Sequence, residues 1–205
     1  MMEHHYFALN KPQKVISQFI RFQKGKKRML GDLYDFPEGT MAVGRLDENS
    51  EGLLLLTTNG KESNRISTGG IEKEYYAQVD GDISEASIQQ MKEGVEIGIK
   101  GVRYMTKSCE VRKLTEDPGF DPPVKKIRGE HHGPTSWVSI IIKEGKFRQV
   151  RKMTGAVGNG TLRLVRVRIG DIKLGSLKSG EVKVLDLFKT SFFLVKVCLF
   201  ELYAL

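Results

Sequence analysis

The sequence predicts a strand-rich globular chain with a few short helices, a set of elements compatible with the α+β class. The first observation is a run of four leucines at residues 53–56, which is too short to span a membrane and is typical of a strand buried on both faces. The second is the β-rich segment WVSIII at residues 137–142, and the third is the alternation of apolar residues with arginines over residues 162–169. With 205 residues, the chain is long enough to bury a substantial core.

Local patterns predict the elements of the first half. Residues 6–9 predict a short strand that ends at the turn signal Asn10-Lys11-Pro12, and the leucine strand ends at a second turn signal, Asn59-Gly60. The other predicted elements are a helix at residues 61–67, a strand at 72–81, a helix capped by Ser84, a hairpin at 94–101 and a strand at 103–114.

The second half begins with a long irregular stretch. Residues 115–134 contain four prolines and predict an extended surface loop. After the strand at residues 137–142, residues 146–158 predict a helix with two distinct faces. One face is apolar, with Val150, Met153 and Val157, and the other is basic, with Arg148, Arg151 and Lys152.

Positive charge is concentrated in one part of the chain. The net charge is +8 and the pI is near 9.4, and the stretch from Lys146 to Arg168 contains seven basic residues and no acidic one. A solvated face would intersperse both signs, so this stretch predicts contact with nucleic acid. Five of the seven are arginines, which suit bidentate contacts to phosphates or base edges. Residues 21–28 carry five more positive charges and predict a phosphate-contacting loop or a solvated surface loop.

Other features argue against secretion, metal binding and membrane insertion. Cys109 and Cys198 lie far apart and match no metal-ligand spacing, so we expect reduced thiols, no metal site and a cytoplasmic protein. The first residues lack the pattern of a secretory signal, and no apolar run is long enough to predict a membrane span. Residues 187–205 are strongly apolar but interrupted by three charges, and they could form a last strand or helix, an oligomer contact or an irregular tail.

Four motifs occur in order along the chain. They are LNKP at residues 9–12, GRLDENSEGLLLLTTNG at 44–60, KEY at 73–75, and EGKFRQVRKM at 144–153 followed by TLRLVR at 161–166. Together they resemble the signature of the RsuA-type bacterial ribosomal RNA pseudouridine synthases. The resemblance implies an α+β fold with a mixed, mostly antiparallel sheet bent into two lobes, helices on its outer side and a catalytic cleft between the lobes.

The resemblance also implies a domain organisation. Most members of this family carry a small S4 RNA-binding domain before the catalytic domain, and this sequence leaves no room for one. It is therefore similar to the short members of the family, which act on large-subunit ribosomal RNA. We expect a catalytic domain at residues 1–186, an apolar tail of open role at residues 187–205, and a monomer.

An aspartate carries the chemistry that the resemblance implies, the isomerisation of a uridine. The bond from C1′ to N1 is cut, the base turns, and a bond from C1′ to C5 replaces it. Asp47 matches the family's essential aspartate, and its carboxylate could attack covalently or remove a proton. Such a carboxylate needs a nearby cation in a closed pocket, because desolvation disfavours its charged form. The resemblance assigns that role to Arg151, for which a further phosphate contact is the alternative.

The resemblance further implies residues that bind the RNA. Tyr75 is expected to stack on the target base, and because side chains alternate along a strand, only one of Tyr75 and Tyr76 can face a cleft. Arg45 resembles the arginine that enters the gap left by the flipped nucleotide. Ile142, or its neighbour Ile141, would supply an apolar wall of the pocket, although both residues and Tyr75 could belong to the core. The remaining expected RNA contacts are Lys146, Arg148, Gln149, Lys152, Arg163, Arg166 and Arg168.

Two other functions compete with this hypothesis. A non-catalytic RNA-binding or ribosome-assembly factor on the same scaffold would have no reason to keep Asp47, Tyr75 and Arg151 together. A glycoside hydrolase needs a second carboxylate, for which only Glu48 or Glu51 is available, and the basic surface fits RNA better. The isomerisation is redox-neutral, so we expect no cofactor. The expected partner is a structured stem-loop of ribosomal RNA with its uridine flipped out.

Overall fold

A mixed sheet of nine strands forms the centre of the protein. The computed structural model describes residues 3–20, 27–124, 127 and 132–188. Its strands are β1 (Tyr6–Lys11), β2 (Val15–Ile16), β3 (Arg28–Met29), β4 (Met41–Ala42), β5 (Glu51–Thr57), β6 (Lys73–Asp80), β7 (Glu96–Ile99), β8 (Val102–Met105), β9 (Glu110–Lys113), β10 (Thr135–Ile142), β11 (Thr161–Ile169), β12 (Ile172–Lys173) and β13 (Val182–Leu185). Its helices are a 3-10 helix (Leu30–Asp32), α1 (Gly60–Thr68), α2 (Glu85–Glu93) and α3 (Gln149–Ala156).

The sheet is mostly antiparallel, with one parallel contact near its middle. Its order is β13-β1-β5-β11-β6-β10-β9, with β4 beside β5 and β12 beside β11. Strands β5 and β11 run parallel, whereas the other neighbours in this sheet run antiparallel. Strands β2 and β3 form a small parallel pair, and β7 and β8 form a hairpin. The predicted α+β class with a mixed sheet is confirmed, and the bend into two lobes stays a prediction.

A single register aligns five strands across the sheet. Lys11 on β1 lies opposite Gly52 on β5, which lies opposite Arg166 on β11. Arg166 lies opposite Tyr75 on β6, and Tyr75 lies opposite Ile140 on β10. Because directly opposed residues project from the same face of a sheet, this row places the side chains of Lys11, Arg166 and Tyr75 on one face.

Both faces of the sheet are covered by apolar side chains, which explains the uninterrupted leucine run. Leu54 and Leu56 belong to the cluster that includes buried residues of α2 and α3. Leu53 and Leu55 belong to a second cluster, which α1 joins through Ile66. The prediction that this strand is buried on both faces is confirmed, since every residue of β5 is buried.

Most predicted elements are present with slightly shifted ends. The strands predicted at residues 6–9, 72–81, 137–142 and 162–169 correspond to β1, β6, β10 and β11, and the helices predicted at 61–67, after Ser84 and at 146–158 correspond to α1, α2 and α3. Ser84 caps α2 as predicted, because its side chain accepts a hydrogen bond from the Ser87 N–H. Asn59, predicted to lie in a turn, caps α1 in the same way, by accepting from the Glu62 N–H.

Other local predictions were wrong or missing. The continuous strand predicted at residues 103–114 is divided between β8 and β9, because the intervening Thr106 and Cys109 N–H groups bond to the carbonyls of Val95 and Lys92. The short strands β2, β3, β4, β12 and β13 were not predicted. In each of them, two to four residues depend on a neighbouring strand for their hydrogen bonds.

Two predicted segments lie largely outside the described residues. Of the basic segment at residues 21–28 only the last two are described, and of the apolar segment at 187–205 only the first two. The proposed boundary between a catalytic domain at residues 1–186 and a tail therefore stays a prediction. In the part of the chain that the structure describes, no helix is both long enough and apolar enough to cross a membrane.

Gly52 generates a stability prediction because it allows the close approach of β5 to β11. Its φ is +98°, and a Cβ at this position would lie 2.3 Å from the Arg166 carbonyl oxygen. The substitution Gly52→Ala is expected to lower the free energy of unfolding by more than about 3 kcal/mol, because two paired backbones must separate. Urea unfolding measures this loss.

Gly44→Ala is the matched control for this substitution. Gly44 also has a positive φ, of +71°, but no atom lies within 4 Å of an added Cβ. Only backbone strain of about 1–2 kcal/mol is therefore expected. Equal losses in the two variants would contradict a steric requirement at residue 52.

Candidate active site

The loop that carries Asp47 connects β4 to β5 and is held on both sides of this residue. Before Asp47, the Ser17 hydroxyl donates to the Leu46 carbonyl at 2.9 Å and accepts from the Leu46 N–H at 3.1 Å. After it, the Glu48 carbonyl accepts from the Lys14 N–H at 2.8 Å. The Asp47 side chain remains 28% exposed, so a carboxylate on a fixed backbone is still accessible from outside.

Lys11 supports the same loop from the interior. It is fully buried, and its ammonium donates to the carbonyls of Pro12 and Val15 at 2.8 Å each and to that of Glu48 at 3.5 Å. Burial lowers the pKa of Lys11 from 10.5 to about 8, and nearby carboxylates oppose this shift. Lys11 is therefore a cation at neutral pH, and its N–H groups are directed at backbone carbonyls.

Two arginines face the Asp47 carboxylate. Arg148 Nη1 lies 3.4 Å from Asp47 Oδ2, and Arg151 Nε lies 4.0 Å from the same oxygen. Arg151, predicted to pair with Asp47, is thus in ion-pair range. Arg148, predicted only to contact RNA, lies closer. The arrangement places two positive charges beside one carboxylate.

Arg151 also ties α3 to the loop. Its Nη2 donates to the Asn49 carbonyl at 3.1 Å, and its Nη1 donates to the Thr161 carbonyl at 3.3 Å. Burial lowers the pKa of Arg151 from its ordinary value, Arg148 lowers it further, and nearby carboxylates including Asp47 oppose the shift. The guanidinium stays charged at neutral pH. Its Nε is buried with no hydrogen-bond partner among the described residues, which leaves one donor available beside the carboxylate.

An unusual backbone conformation directs Arg148 towards the site. Arg148 has a φ of +53°, in the left-handed region, immediately before the first residue of α3. Gln149 secures this turn, because its side chain donates to Glu144 Oε1 at 2.6 Å and accepts from the Lys146 N–H at 3.0 Å. Gln149 is buried, so the structure gives it an internal role in place of the predicted RNA contact.

Tyr75 lies beside Arg166 on the aligned row. Arg166 Nη1 donates to the Tyr75 hydroxyl at 3.5 Å, and its guanidinium carbon lies 5.9 Å from the centre of the ring. Arg166 is buried and donates from Nε to the Leu53 carbonyl at 2.8 Å, which replaces the predicted phosphate contact with an internal one. Tyr76 faces the other way, with its ring 6.1 Å from that of Phe120. The predicted alternation of the two tyrosines is confirmed.

Two further arginines predicted to bind RNA form ion pairs within the protein. Arg163 donates to Glu51 through Nε at 2.9 Å and through Nη2 at 2.8 Å, and both residues are buried. Arg168 donates to Glu74 at 2.9 Å and to Glu72 at 3.2 Å. Carboxylates of neighbouring strands and of the residue before β6 satisfy both charges. For the buried Arg163 the pair replaces the predicted phosphate contact, whereas the RNA contact of the partly exposed Arg168 stays a prediction.

The other residues predicted to contact RNA differ in exposure. Arg45 and Lys146 are exposed, whereas Lys152 is partly buried and donates to the Gly98 carbonyl in the hairpin. Ile142 is buried in the same apolar cluster as Tyr75, a position that fits either a pocket wall or the core.

Three residues that build this site were absent from the predicted set. They are Lys11, Ser17 and Glu51. Lys11 belongs to the LNKP motif, and Glu51 ends the polar run after Asp47, so both had a local signal. Ser17 had none, because its role depends on a hydrogen bond to a residue 29 positions away.

The lowered pKa of Lys11 predicts a pH-dependent stability. Between about pH 8 and pH 10.5, the unfolded chain holds a proton at Lys11 that the folded protein has lost. The contribution of Lys11 to the free energy of unfolding therefore rises with pH across this window, and that gain is lost as pH falls through 8. We expect the free energy of unfolding of the wild type, relative to Lys11→Met, to increase by about 3 kcal/mol from pH 7.5 to 10.5. Urea unfolding at several pH values tests this, and a flat difference would contradict it.

Because Arg163 is paired with Glu51 inside the protein, we expect its removal to lower stability rather than RNA affinity. Arg163→Met is expected to lower the free energy of unfolding by about 3–5 kcal/mol, because it leaves Glu51 buried without its partner. The control is Arg103→Met in the exposed pair with Glu96, where less than about 1 kcal/mol is expected. If Arg163→Met had normal stability but a reduced salt dependence of RNA binding, the result would show that Arg163 contacts RNA, as the sequence predicted.

Comparisons with known proteins connect this geometry to a family. A family model described as RNA pseudouridylate synthase matches residues 5–156. Proteins named ribosomal large subunit pseudouridine synthase E from Xanthomonas axonopodis pv. citri and Xanthomonas campestris pv. campestris are 39% and 40% identical, over 80% and 79% of this chain and 84% and 85% of their own. A solved structure described as a pseudouridylate synthase has a TM-score of 0.71 at 29% identity, covering 90% of this chain and 71% of that one.

The matched region contains the main parts of the site. It includes the loop of Asp47, the strand of Tyr75 and the helix of Arg151, and it extends over well more than half of the chain. The fold predicted from the motifs agrees with the solved structure. The chain therefore belongs to the RNA pseudouridylate synthase family and is an RNA pseudouridine synthase.

Proposed function

We propose that this enzyme converts a specific uridine of large-subunit ribosomal RNA to pseudouridine, with Asp47 as its nucleophile or base. The observation that carries the proposal is the accessible Asp47 carboxylate with guanidinium nitrogens at 3.4 and 4.0 Å, on a loop that enters the sheet two strands from Tyr75. The names of the two Xanthomonas relatives support the substrate class.

Asp47 suits the first step of the isomerisation. A carboxylate oxygen can add to the substrate and release the uracil, or it can remove a proton from the ribose to leave a glycal. The detached uracil turns and C5 bonds to C1′ in place of N1. This new bond releases the Asp47 carboxylate in the covalent route, and in the glycal route the ribose regains the proton that Asp47 removed. The proton on C5 then leaves and N1 gains one. The product has the same atoms as the substrate, so the step needs no oxidant, reductant or second substrate.

Arg148 and Arg151 provide the electrostatic environment for this step. Their charges offset the cost of removing the Asp47 carboxylate from water when RNA closes over it. The base departs with negative charge, and cations already in place stabilise that charge without reorganisation. The Nε of Arg151 makes no hydrogen bond to any described residue, so it is a donor available to Asp47 or to an oxygen of the substrate.

Tyr75 and Arg45 are assigned to the nucleotide itself. A uridine inside folded RNA must be splayed out, which costs a few kcal/mol of unstacking. Stacking on the Tyr75 ring, worth about 1–3 kcal/mol per base, offsets part of that cost. Arg45 is exposed two residues before Asp47 and is assigned to the gap that the uridine leaves.

The finer assignments follow from the same proposal. The partner is a structured stem-loop of ribosomal RNA, which the enzyme binds as a monomer in the cytoplasm, where ribosomes are assembled. The catalytic unit comprises residues 1–186, and the pairing of β13 with β1 supports this boundary because it joins the last described strand to the first.

The substitution Asp47→Asn tests the proposal. It keeps the size of the side chain and removes its charge and basicity, so pseudouridine formation is expected to fall at least about 10³-fold with stability nearly unchanged. The measurement is pseudouridine mapping in deproteinised large-subunit ribosomal RNA from a strain that lacks this enzyme. Asp35→Asn, at an exposed carboxylate outside the site, is the control and should retain full activity. A wild type that binds this RNA tightly but forms no pseudouridine would support a non-catalytic factor instead.

A further inference from the structure

Phe147 is a large aromatic side chain exposed at the edge of the active site. It is 61% exposed, in the segment between β10 and α3. The next residue, Arg148, has its guanidinium 3.4 Å from Asp47. Consecutive Cα atoms are about 3.8 Å apart, so the ring is attached directly beside the residue that contacts the candidate nucleophile.

One lysine lies against this ring, and basic residues precede and follow it in the sequence. Lys152 Nζ lies 5.1 Å from the ring centre of Phe147 and donates to the Gly98 carbonyl of the hairpin. Lys146, the preceding residue, is exposed, with its ammonium 4.8 Å from the ring centre of Tyr104. An exposed aromatic ring with one lysine at its face and a second lysine on the preceding residue has the two components that bind single-stranded nucleic acid, a stacking surface for bases and cations for phosphates.

The backbone holds Phe147 in this position. Arg148 adopts a left-handed conformation, and the buried Gln149 side chain bonds back to the Lys146 N–H and to Glu144. Glu144 is in turn bound by the Tyr104 hydroxyl at 2.6 Å. The segment is therefore fixed at each end, and a ring on a fixed segment loses little conformational freedom when a base stacks on it.

We propose that Phe147 is a stacking platform for an unpaired nucleobase next to the target nucleotide, with Lys146 and Lys152 at the flanking phosphates. The proposal rests on the proposed function, because it uses the same RNA and the same site. It adds a binding position outside the catalytic pocket. A ring with one lysine above it keeps its other face for a base, and a base is the planar ligand that this cationic surface favours.

A protein partner fits these surroundings less well. Apolar protein contacts favour apolar neighbours, whereas residues 146, 148 and 152 are all basic. The apolar segment at residues 187–205 is also an unsuitable occupant of the Phe147 surface, because its first described residues lie elsewhere. Phe188 packs on Tyr6 in the apolar cluster on the other face of the sheet from α3.

The test measures binding of fluorescein-labelled decauridylate, a flexible single strand, to the full chain at several salt concentrations. Phe147→Leu keeps an apolar side chain but removes the ring, so affinity should fall about 5- to 100-fold at every salt concentration. The slope of affinity against salt should not change, because no charge is lost. Phe147→Tyr keeps a π-face and should bind within about twofold of the wild type. Lys146→Gln should instead reduce the salt slope by about 0.7.

Val184→Ala is the control, because Val184 is 60% exposed on β13 and lies outside the basic stretch. It should bind decauridylate as the wild type does. Wild-type affinity in Phe147→Leu, or a changed salt slope, would overturn the platform. Self-association that disappears in Phe147→Leu, seen by sedimentation with RNA affinity unchanged, would also overturn it and identify a protein contact.

The binding test is independent of catalysis. If the wild type forms no pseudouridine but Phe147→Leu still weakens decauridylate binding as described, the platform stands and the proposed function fails. If the wild type is active and Phe147→Leu has no effect on binding, the platform fails alone. Asp47→Asn should bind decauridylate at least as tightly as the wild type, because it removes a negative charge from the site.

Discussion

The parallel contact between β5 and β11 at Gly52 and Arg166 is the constraint on which the site depends. A side chain at residue 52 would collide with the β11 backbone, so glycine is needed where the loop of Asp47 enters the sheet. The strand register then places Lys11 on β1 opposite Gly52, and it places Tyr75 on β6 opposite Arg166. Backbone pairing therefore sets where the Asp47 loop enters the sheet relative to Tyr75, and the side chains of Ser17, Lys11 and Arg151 hold the loop itself.

Positive charge is collected around Asp47 at a cost in stability. Burial lowers the pKa values of Lys11 and Arg151, and Arg166 is buried beside Tyr75. Buried cations that lack a full set of partners are unfavourable, and two guanidinium nitrogens have none among the described residues. The proposed reaction would make use of such charge, because an RNA substrate supplies the missing negative groups.

The sequence predicts the long elements of the fold well. Alternation, helical spacing and capping residues are local properties, so strands such as β6 and β11 and the cap at Ser84 follow from a few neighbouring residues. The short strands β4, β12 and β13 do not, because a strand of two to four residues exists only where another strand supplies its hydrogen bonds. The same reason explains the gap between β8 and β9, where the backbone bonds elsewhere.

The sequence by itself determined the family motifs, the apolar strands and the presence of a concentrated basic stretch, since each is visible within a short window. Only the tertiary structure decided what each charge does. Arg163 and Arg148 carry the same side chain in the same stretch, yet Arg163 pairs with Glu51, 112 residues away, and Arg148 reaches Asp47. Which role an arginine takes depends on the strand or loop packed against it, and that neighbour is distant in sequence.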